Sequence, residues 1–136
     1  MYNVEAIVRV AKLEDVKEAL VAQDIRGMTI SQVMGCGVQM GFTELVRGNE
    51  IAVNMIPKIK FEILVSNEDW RDKAIEAIRI AAWTGEPGDG KIFTYKVDTA
   101  VRIRTGERDV EAVTPSHDGR DHNRRQKNTS KLNEKS

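Results

Sequence analysis

Apolar residues alternate with other residues at two places along the chain. Val4, Ala6, Val8 and Val10 take every second position near the start, and Ile59, Phe61, Ile63 and Val65 do so near the middle. A period of two places one set of side chains on one face of a β-strand. We therefore predict half-buried strands at both places. The stretches MTISQVM (28–34) and KIFTYKV (91–97) are predicted to be two further strands.

Two other segments have the spacing of amphipathic helices. In KLEDVKEALVAQ the apolar positions are Leu13, Val16, Ala19 and Leu20, and Gly27 is predicted to end this helix. A second helix is predicted from about Glu68 to Trp83, with Ser66 or Asn67 as its cap. The inner stripe of this helix is predicted to comprise Ala74, Ile78, Ala81 and Ala82.

The predicted element order is β-α-β-β-α-β, which defines an α+β, ferredoxin-like fold in one domain over residues 1–113. Residues 35–57 join the second and third strands, although a hairpin needs only about two to five residues. A connection of that length is usually functional or disordered. Residues 114–136 hold one large apolar residue, Leu132, and are predicted to be a flexible tail. The tail is either a solubilising extension or an arm for an acidic partner.

The charge pattern excludes a generally basic protein. Lys and Arg together number 21, as do Asp and Glu, but the tail carries an excess of basic residues and leaves the body net acidic.

The single cysteine, Cys36, excludes an internal disulfide, and both histidines, His117 and His122, lie in the tail. The body of the protein therefore lacks the histidine that most hydrolases and metalloenzymes use as a base, nucleophile or metal ligand. With neither a signal peptide nor a membrane span recognisable, we expect a cytoplasmic protein.

Glycines suggest two candidate sites. In TGEPGDGKIF, Gly88 and Gly90 precede Lys91, so that backbone N–H groups and an ammonium could bind phosphate, or the glycines could simply join a helix to a strand. The stretch GCGVQMG begins the long connection and contains Gln39, whose amide oxygen can ligate a cation, although a tight turn explains its glycines equally well.

Arginines and lysines suggest two more sites. Arg102 and Arg104, in VRIRTGE, would lie on one side of an extended segment, either to grip successive phosphates or to form surface ion pairs. Lys58 and Lys60 share the polar face of the third strand with Glu62. This face is either simply solvated, or Lys58 reaches a ligand held by the long connection.

Together these motifs resemble the PII signal-transduction proteins, trimeric regulators that read adenylate nucleotides and 2-oxoglutarate and control nitrogen-related transporters and enzymes. The similarity runs from Val4 to about Glu107, and is carried by GMT, GCGVQMG, TELVRGNE, PKIKFEI, TGEPGDGKIF and VRIRTGE. It implies a non-catalytic homotrimer that binds ATP or ADP between subunits. Residues 37–55 would be the T-loop, which docks a transporter or a metabolic enzyme.

The resemblance also implies which residues bind each ligand. Lys58 would pair with a carboxylate of 2-oxoglutarate, together with Gln39 and Gly41, and Gln39 would ligate Mg²⁺. Phosphates would lie against the glycine loop of one chain and be reached by Arg102 and Arg104 of the neighbour. The implied nucleotide-binding residues are Thr29, Cys36, Gly37, Val38, Gln39, Glu62, Leu64, Gly88, Asp89, Gly90, Lys91, Arg102, Ile103 and Arg104.

The chain departs from the family pattern at four positions. Val38 and Met40 stand where relatives usually have Arg and Lys, which predicts weaker ATP binding or a shifted ATP/ADP preference. Ile51 and Asn49 stand where some relatives carry a modified tyrosine and a phosphorylated serine. We therefore expect the T-loop to act through ligand-set conformation alone.

Two other functions use the same scaffold. A small nucleotide-dependent enzyme would need a nucleophile or base among Cys36, Glu62, Asp89 and Lys91. An RNA-binding domain would use exposed aromatic residues, for which Phe93 and Tyr95 share a face, but the net acidic body disfavours nucleic acid.

Overall fold

The structure, a computed structural model, describes residues 1–38 and 53–114. Four strands and two main helices make up this part of the chain. The strands are β1 (Tyr2–Arg9), β2 (Thr29–Val38), β3 (Val53–Val65) and β4 (Lys91–Lys96). The helices are α1 (Leu13–Ala22), α2 (Glu68–Ala82) and the short α3 (Val110–Val113), with a 3-10 turn over Val10–Lys12. The predicted β-α-β-β-α-β order is confirmed.

The strands form one antiparallel sheet in the order β2-β3-β1-β4, so that β2 and β4 are its edges. Val4 lies opposite Ile63, and Thr29 lies opposite Glu62. On the other side of β1, Ile7 lies opposite Lys91. This register fixes which residues share a face of the sheet, because directly paired residues point the same way.

Both main helices cover one face of the sheet and form the core with it. The buried core residues are Val4, Ala6, Val8, Val16, Leu20, Ile25, Ile59, Phe61, Ile63, Val65, Ala74, Ile78 and Ala82. The predicted alternation of β1 and β3 and the stripe of α2 are thereby confirmed, with Ala81 partly buried. The opposite face carries polar and aromatic side chains, where Tyr95 Oη donates to Glu5 at 3.1 Å and Lys60 lies 3.6 Å from Glu62.

Helix α2 begins where the sequence predicts. The Asn67 side chain accepts a hydrogen bond from the Trp70 N–H at 3.0 Å, so Asn67 rather than Ser66 is the cap. The helix ends at Ala82, because Trp83 has extended backbone (φ −67°, ψ 128°). The prediction of a helix to about Trp83 is correct within one residue.

The ends of β1 and of α1 differ from the sequence prediction. Val10 is 44% exposed and lies in the 3-10 turn, so β1 ends at Arg9. Helix α1 ends at Ala22, not near Gly27, because Asp24 takes a positive φ of 61° and reverses the chain. The Ile25 N–H then bonds Leu20 O at 3.0 Å, and this contact returns an apolar side chain to the core.

The connection between β2 and β3 is shorter than predicted. Strand β2 continues to Val38 and β3 starts at Val53, because the pairing persists through Gly35–Ile56 and Cys36–Met55. Only residues 39–52 separate the two strands, so both ends of the predicted 35–57 connection are strand. The rest of the predicted T-loop, and the predicted tail after Thr114, lie outside the described residues.

Candidate functional site

The glycine loop, residues 84–90, joins the end of α2 to the start of β4. Gly85, Gly88 and Gly90 have φ of 84°, 101° and 103°, a backbone conformation that other residues rarely adopt. A Cβ atom on Gly90 would lie 1.7 Å from Ile7 O. Glycine at position 90 is therefore required for the loop to lie against β1.

The Asp89 carboxylate points back into this loop. It accepts the Thr84 N–H at 2.8 Å and the Gly85 N–H at 3.0 Å, and it bonds the Thr84 hydroxyl. Arg9 Nε donates to the same carboxylate at 3.0 Å. Hydrogen bonds from Thr84, with further ones from Arg9 and Gly85, hold the pKa of Asp89 well below its usual range. The carboxylate therefore stabilises the shape of the loop.

Two cations from the sheet also bind carbonyl oxygens of the loop. Arg9 Nη2 donates to Pro87 O at 2.7 Å, and Lys58 Nζ donates to Gly88 O at 2.6 Å. Lys91, the first residue of β4, follows the loop directly and is exposed. The predicted residues Gly88, Asp89, Gly90, Lys91 and Lys58 are thus brought together around one loop.

A cavity of about 870 Å³ lies at the end of β3 formed by Leu64 and Val65. Four residues predicted for nucleotide binding line it together, namely Thr29, Glu62, Leu64 and Arg102. Ser66, Trp70 and Val113 also line it. The cavity provides apolar walls with two carboxylates, two hydroxyls and two guanidinium groups, and a mixture of apolar and polar groups is typical of a small-molecule site.

The segment that carries Arg102 and Arg104 is a closed turn, so the prediction of an extended segment is wrong. The Gly106 N–H bonds Arg102 O at 2.8 Å, and the Arg102 N–H bonds Glu107 O at 2.8 Å. Residues 103–105 lie in the bend, where Ile103 is fully exposed and Arg104 is exposed. Strand alternation therefore does not place the two guanidinium groups side by side.

Arg102 holds the last described residues against this turn. Its Nη2 donates to Ala112 O at 3.1 Å and to Thr114 O at 3.4 Å, and its Nη1 lies 3.6 Å from a Glu107 carboxylate oxygen. The Arg102 side chain is only 14% exposed. It therefore has a structural role in this chain in addition to its place in the cavity wall.

Cys36 and Gly37 lie toward the far end of β2, level with the start of β3. Cys36 pairs with Met55 and is exposed, and Gly37 pairs with Asn54. Val38 ends the strand, while Gln39 and Gly41 lie outside the described residues. Gly35 lies near Lys58, whose Cγ would be 3.2 Å from a Cβ at that glycine.

The candidate residues therefore form two groups at different places along β3. The loop-end group comprises the glycine loop, Lys91 and Lys58, which lies in the middle of the strand, and the cavity-end group comprises Thr29, Glu62, Leu64 and Arg102. Leu64 lies six positions after Lys58, which corresponds to about 20 Å of strand. Cys36 and Gly37 pair with Met55 and Asn54, near the start of β3.

Sequence reasoning missed Arg9. This residue donates two hydrogen bonds to the glycine loop although 78 and 80 positions separate it from Pro87 and Asp89. No local pattern links residues so distant in sequence. The pairing of β1 with β4 explains the contact, because the antiparallel register brings the end of β1 to the start of β4.

The described ranges contain no metal-binding cluster of three or more His, Cys, Asp or Glu side chains. In the same ranges, each helix is too short or too polar to cross a membrane.

The fold and site define a small α+β domain in which a glycine loop and a half-polar cavity lie at opposite ends of one sheet. The model of the family described as nitrogen regulatory protein P-II matches residues 1–107. The nitrogen regulatory protein P-II of Rhizobium etli is 54% identical over 113 residues, which cover 83% of this chain and all of the relative. The one from Synechocystis is 52% identical with the same coverage. The chain belongs to the nitrogen regulatory protein P-II family, whose members are regulatory signal-transduction proteins.

Solved structures agree with this assignment. The structure of a Bacillus subtilis GlnK–ATP complex has a TM-score of 0.71 and 40% sequence identity, and it covers 82% of this chain and 96% of its own. A structure of B. subtilis GlnK gives a TM-score of 0.70 at the same identity and coverage.

Proposed function

We propose that this protein is a non-catalytic signal-transduction regulator that binds ATP or ADP in clefts between the subunits of a homotrimer. Its T-loop, residues 37–55, would then engage or release a transporter or a metabolic enzyme. Membership in the P-II family supports the regulatory role, and the likeness to a GlnK–ATP complex supports the nucleotide. We further infer a cytoplasmic protein in which residues 1–113 form the domain and residues 114–136 form a flexible, basic tail.

The observation that carries this proposal is the separation of the two residue groups. The loop-end group offers the backbone of the glycine loop and Lys91, which suit phosphates. The cavity-end group offers Thr29, Glu62 and Leu64, which suit a base, with Arg102 beside them. Since about 20 Å of strand separates Lys58 from Leu64, we infer that one nucleotide contacts both groups where two subunits meet. Symmetry then gives a closed trimer three equal clefts.

The residues assigned to each role follow from this arrangement. Gly88, Asp89, Gly90 and Lys91 of one subunit bind the phosphates, with Cys36, Gly37, Val38 and Gln39 nearby. Thr29, Glu62, Leu64, Arg102, Ile103 and Arg104 of the neighbour complete the cleft. The exposure of Ile103 and Arg104 supports their contact with another subunit.

Mg²⁺ and 2-oxoglutarate are secondary parts of the proposal. Gln39 would ligate Mg²⁺ through its amide oxygen, and Gly41 and Lys58 would bind the oxo-acid. The bond from Lys58 to Gly88 O supports a coupling between the two ligands, because one ammonium group would then contact both the glycine loop and the carboxylate. Val38 and Met40 supply no cation there, so we expect ATP affinity below that of relatives with Arg and Lys.

A nucleotide-dependent enzyme is the less favoured function. Its candidate base Asp89 is hydrogen-bonded to Thr84 and Arg9, which keeps its pKa low. General bases work best with a pKa near the working pH. Asp89 is therefore a weak base, and we expect any nucleotide hydrolysis to be slow and incidental.

Calorimetric titration of the full chain tests the proposal. We expect saturable heats with ATP and with ADP, competition between the two, and 2-oxoglutarate heat only when Mg²⁺ and ATP are present. Light scattering should give a mass three times the 15.3 kDa of one chain. Absence of nucleotide heat at high micromolar concentrations would contradict nucleotide sensing. Multiple turnovers of ATP at a rate above one per second would favour the enzyme.

A further inference from the structure

Arg9 joins three parts of the glycine loop at once. Its Nε donates to the Asp89 carboxylate at 3.0 Å, and its Nη2 donates to Pro87 O at 2.7 Å. The same Nη2 would lie 3.2 Å from a Cβ atom on Gly88, so the loop backbone packs against the guanidinium group. The side chain is one-third exposed and stands at the end of β1, which is a rigid strand next to the core.

The loop needs such a support because its own sequence is flexible. Gly85, Gly88 and Gly90 each have positive φ, and glycine in the unfolded or unsupported state samples a wide range of backbone angles. Two hydrogen bonds from one planar group restrict residues 87 and 89 relative to each other. The Gly88 N–H, which lies between them, is then oriented before any anion arrives.

Arg9 also compensates a charge that opposes anion binding. The Asp89 carboxylate lies inside a loop whose proposed ligand is a phosphate chain, and like charges at short range repel. The guanidinium group faces this carboxylate directly, and Thr84 and Gly85 donate their N–H groups to it. The negative charge is thereby compensated within the loop.

We propose that Arg9 is a positioning residue of the nucleotide site: paired with Asp89 and Pro87 O, it fixes the glycine loop in its phosphate-binding shape and neutralises the Asp89 charge. This inference rests on the proposed nucleotide binding. Arg9 acts through the loop, because its Nε and Nη2 donors already serve loop acceptors. A lysine keeps the charge but lacks the planar fork, so it replaces Arg9 only in part.

The test compares ATP affinity by calorimetry in five variants, each first checked for an unchanged oligomeric state. The variants are Arg9→Gln, Arg9→Lys, Asp89→Asn, the double variant Arg9→Gln/Asp89→Asn, and Arg79→Gln as the matched control. Arg79 pairs with Glu76 at 2.6 Å on the outer surface of α2, so its replacement removes a comparable ion pair away from the loop.

We expect Arg9→Gln to weaken ATP binding about tenfold, Arg9→Lys to weaken it about threefold, and Arg79→Gln to leave it unchanged. Because Arg9 and Asp89 act as one pair, the double variant should bind ATP no more weakly than the weaker of its two single variants. Losses that multiply in the double variant would show that the two residues act independently and would overturn the paired role of Arg9.

Each outcome separates the two proposals. Wild-type protein that does not bind ATP contradicts the proposed function itself. Wild-type protein that binds ATP while Arg9→Gln binds it within twofold overturns the role of Arg9 alone. If Arg9→Gln does not fold, Arg9→Lys decides the matter, since wild-type affinity in that variant also overturns the role.

Discussion

Gly90 lies so close to Ile7 that a Cβ atom at position 90 would stand 1.7 Å from the Ile7 carbonyl oxygen. Its φ of 103° adds strain for any other residue. Gly90→Ala should therefore lower the free energy of unfolding by at least about 2 kcal/mol, as measured by urea denaturation.

Gly27→Ala is the matched control for this substitution, because nothing lies within 4 Å of a Cβ there and no positive φ is required. We expect this control to stay within about 0.5 kcal/mol of the wild type. Equal effects of the two substitutions would show that the close approach of the loop to β1 does not contribute to stability.

The cap of α2 gives a second prediction. Asn67→Ala removes the acceptor of the Trp70 N–H and should destabilise the protein by about 1 kcal/mol. The neighbouring substitution Ser66→Ala removes a hydroxyl that does not cap the helix, so we expect a smaller effect in the same denaturation experiment. A larger loss of stability for Ser66→Ala than for Asn67→Ala would show that Asn67 is not the residue that caps the helix.

The pH dependence of stability should report the Asp89 carboxylate. Bonds from Thr84, Arg9 and Gly85 lower its pKa in the folded state, while an unfolded aspartate titrates at about 3.9. Below that pH the unfolded state binds more protons than the folded state, so stability falls as the pH falls. The contribution of Asp89 to stability is fully present above its pKa in the unfolded state. It is lost as the pH falls toward its pKa in the folded state.

Urea denaturation of wild-type protein and of Asp89→Asn between pH 3 and 7 measures this contribution. We expect the wild type to be more stable by a constant amount near neutral pH, and this difference to shrink below about pH 4. The groups bonded to Asp89 are an arginine side chain, a hydroxyl and backbone N–H groups. A difference that does not change with pH would contradict the assignment.

Local patterns predicted the fold well. Alternation identified β1 and β3, and apolar spacing together with Asn67 identified both ends of α2 within one residue. These features depend on residues close together in sequence, where side-chain period and capping determine the outcome. The end of α1 escaped prediction because Asp24 adopts a positive φ, which is rare outside glycine.

Features that depend on tertiary contacts could not be predicted from the sequence. The extension of β2 and β3 follows from their mutual pairing. The bonds from Arg9 to the glycine loop need the sheet to form first. The motifs did indicate the glycine loop, but only the strand register shows that it lies far from Thr29 and Leu64.

The central proposal is a nucleotide cleft between subunits, and mixing two defective chains tests it most directly. Lys91→Ala removes an ammonium from the loop-end group, and Arg104→Ala removes an exposed guanidinium from the bend after Arg102. Each variant alone should bind ATP about tenfold or more weakly, since each loses a charge-assisted contact.

In a mixed trimer of these chains, one cleft of three combines an intact Lys91 with an intact Arg104. Calorimetry of a refolded equimolar mixture should therefore show about a quarter of the wild-type number of sites, each with wild-type affinity, because about three quarters of random trimers are mixed. A mixture that binds ATP no better than its two parent variants would contradict a site shared between subunits.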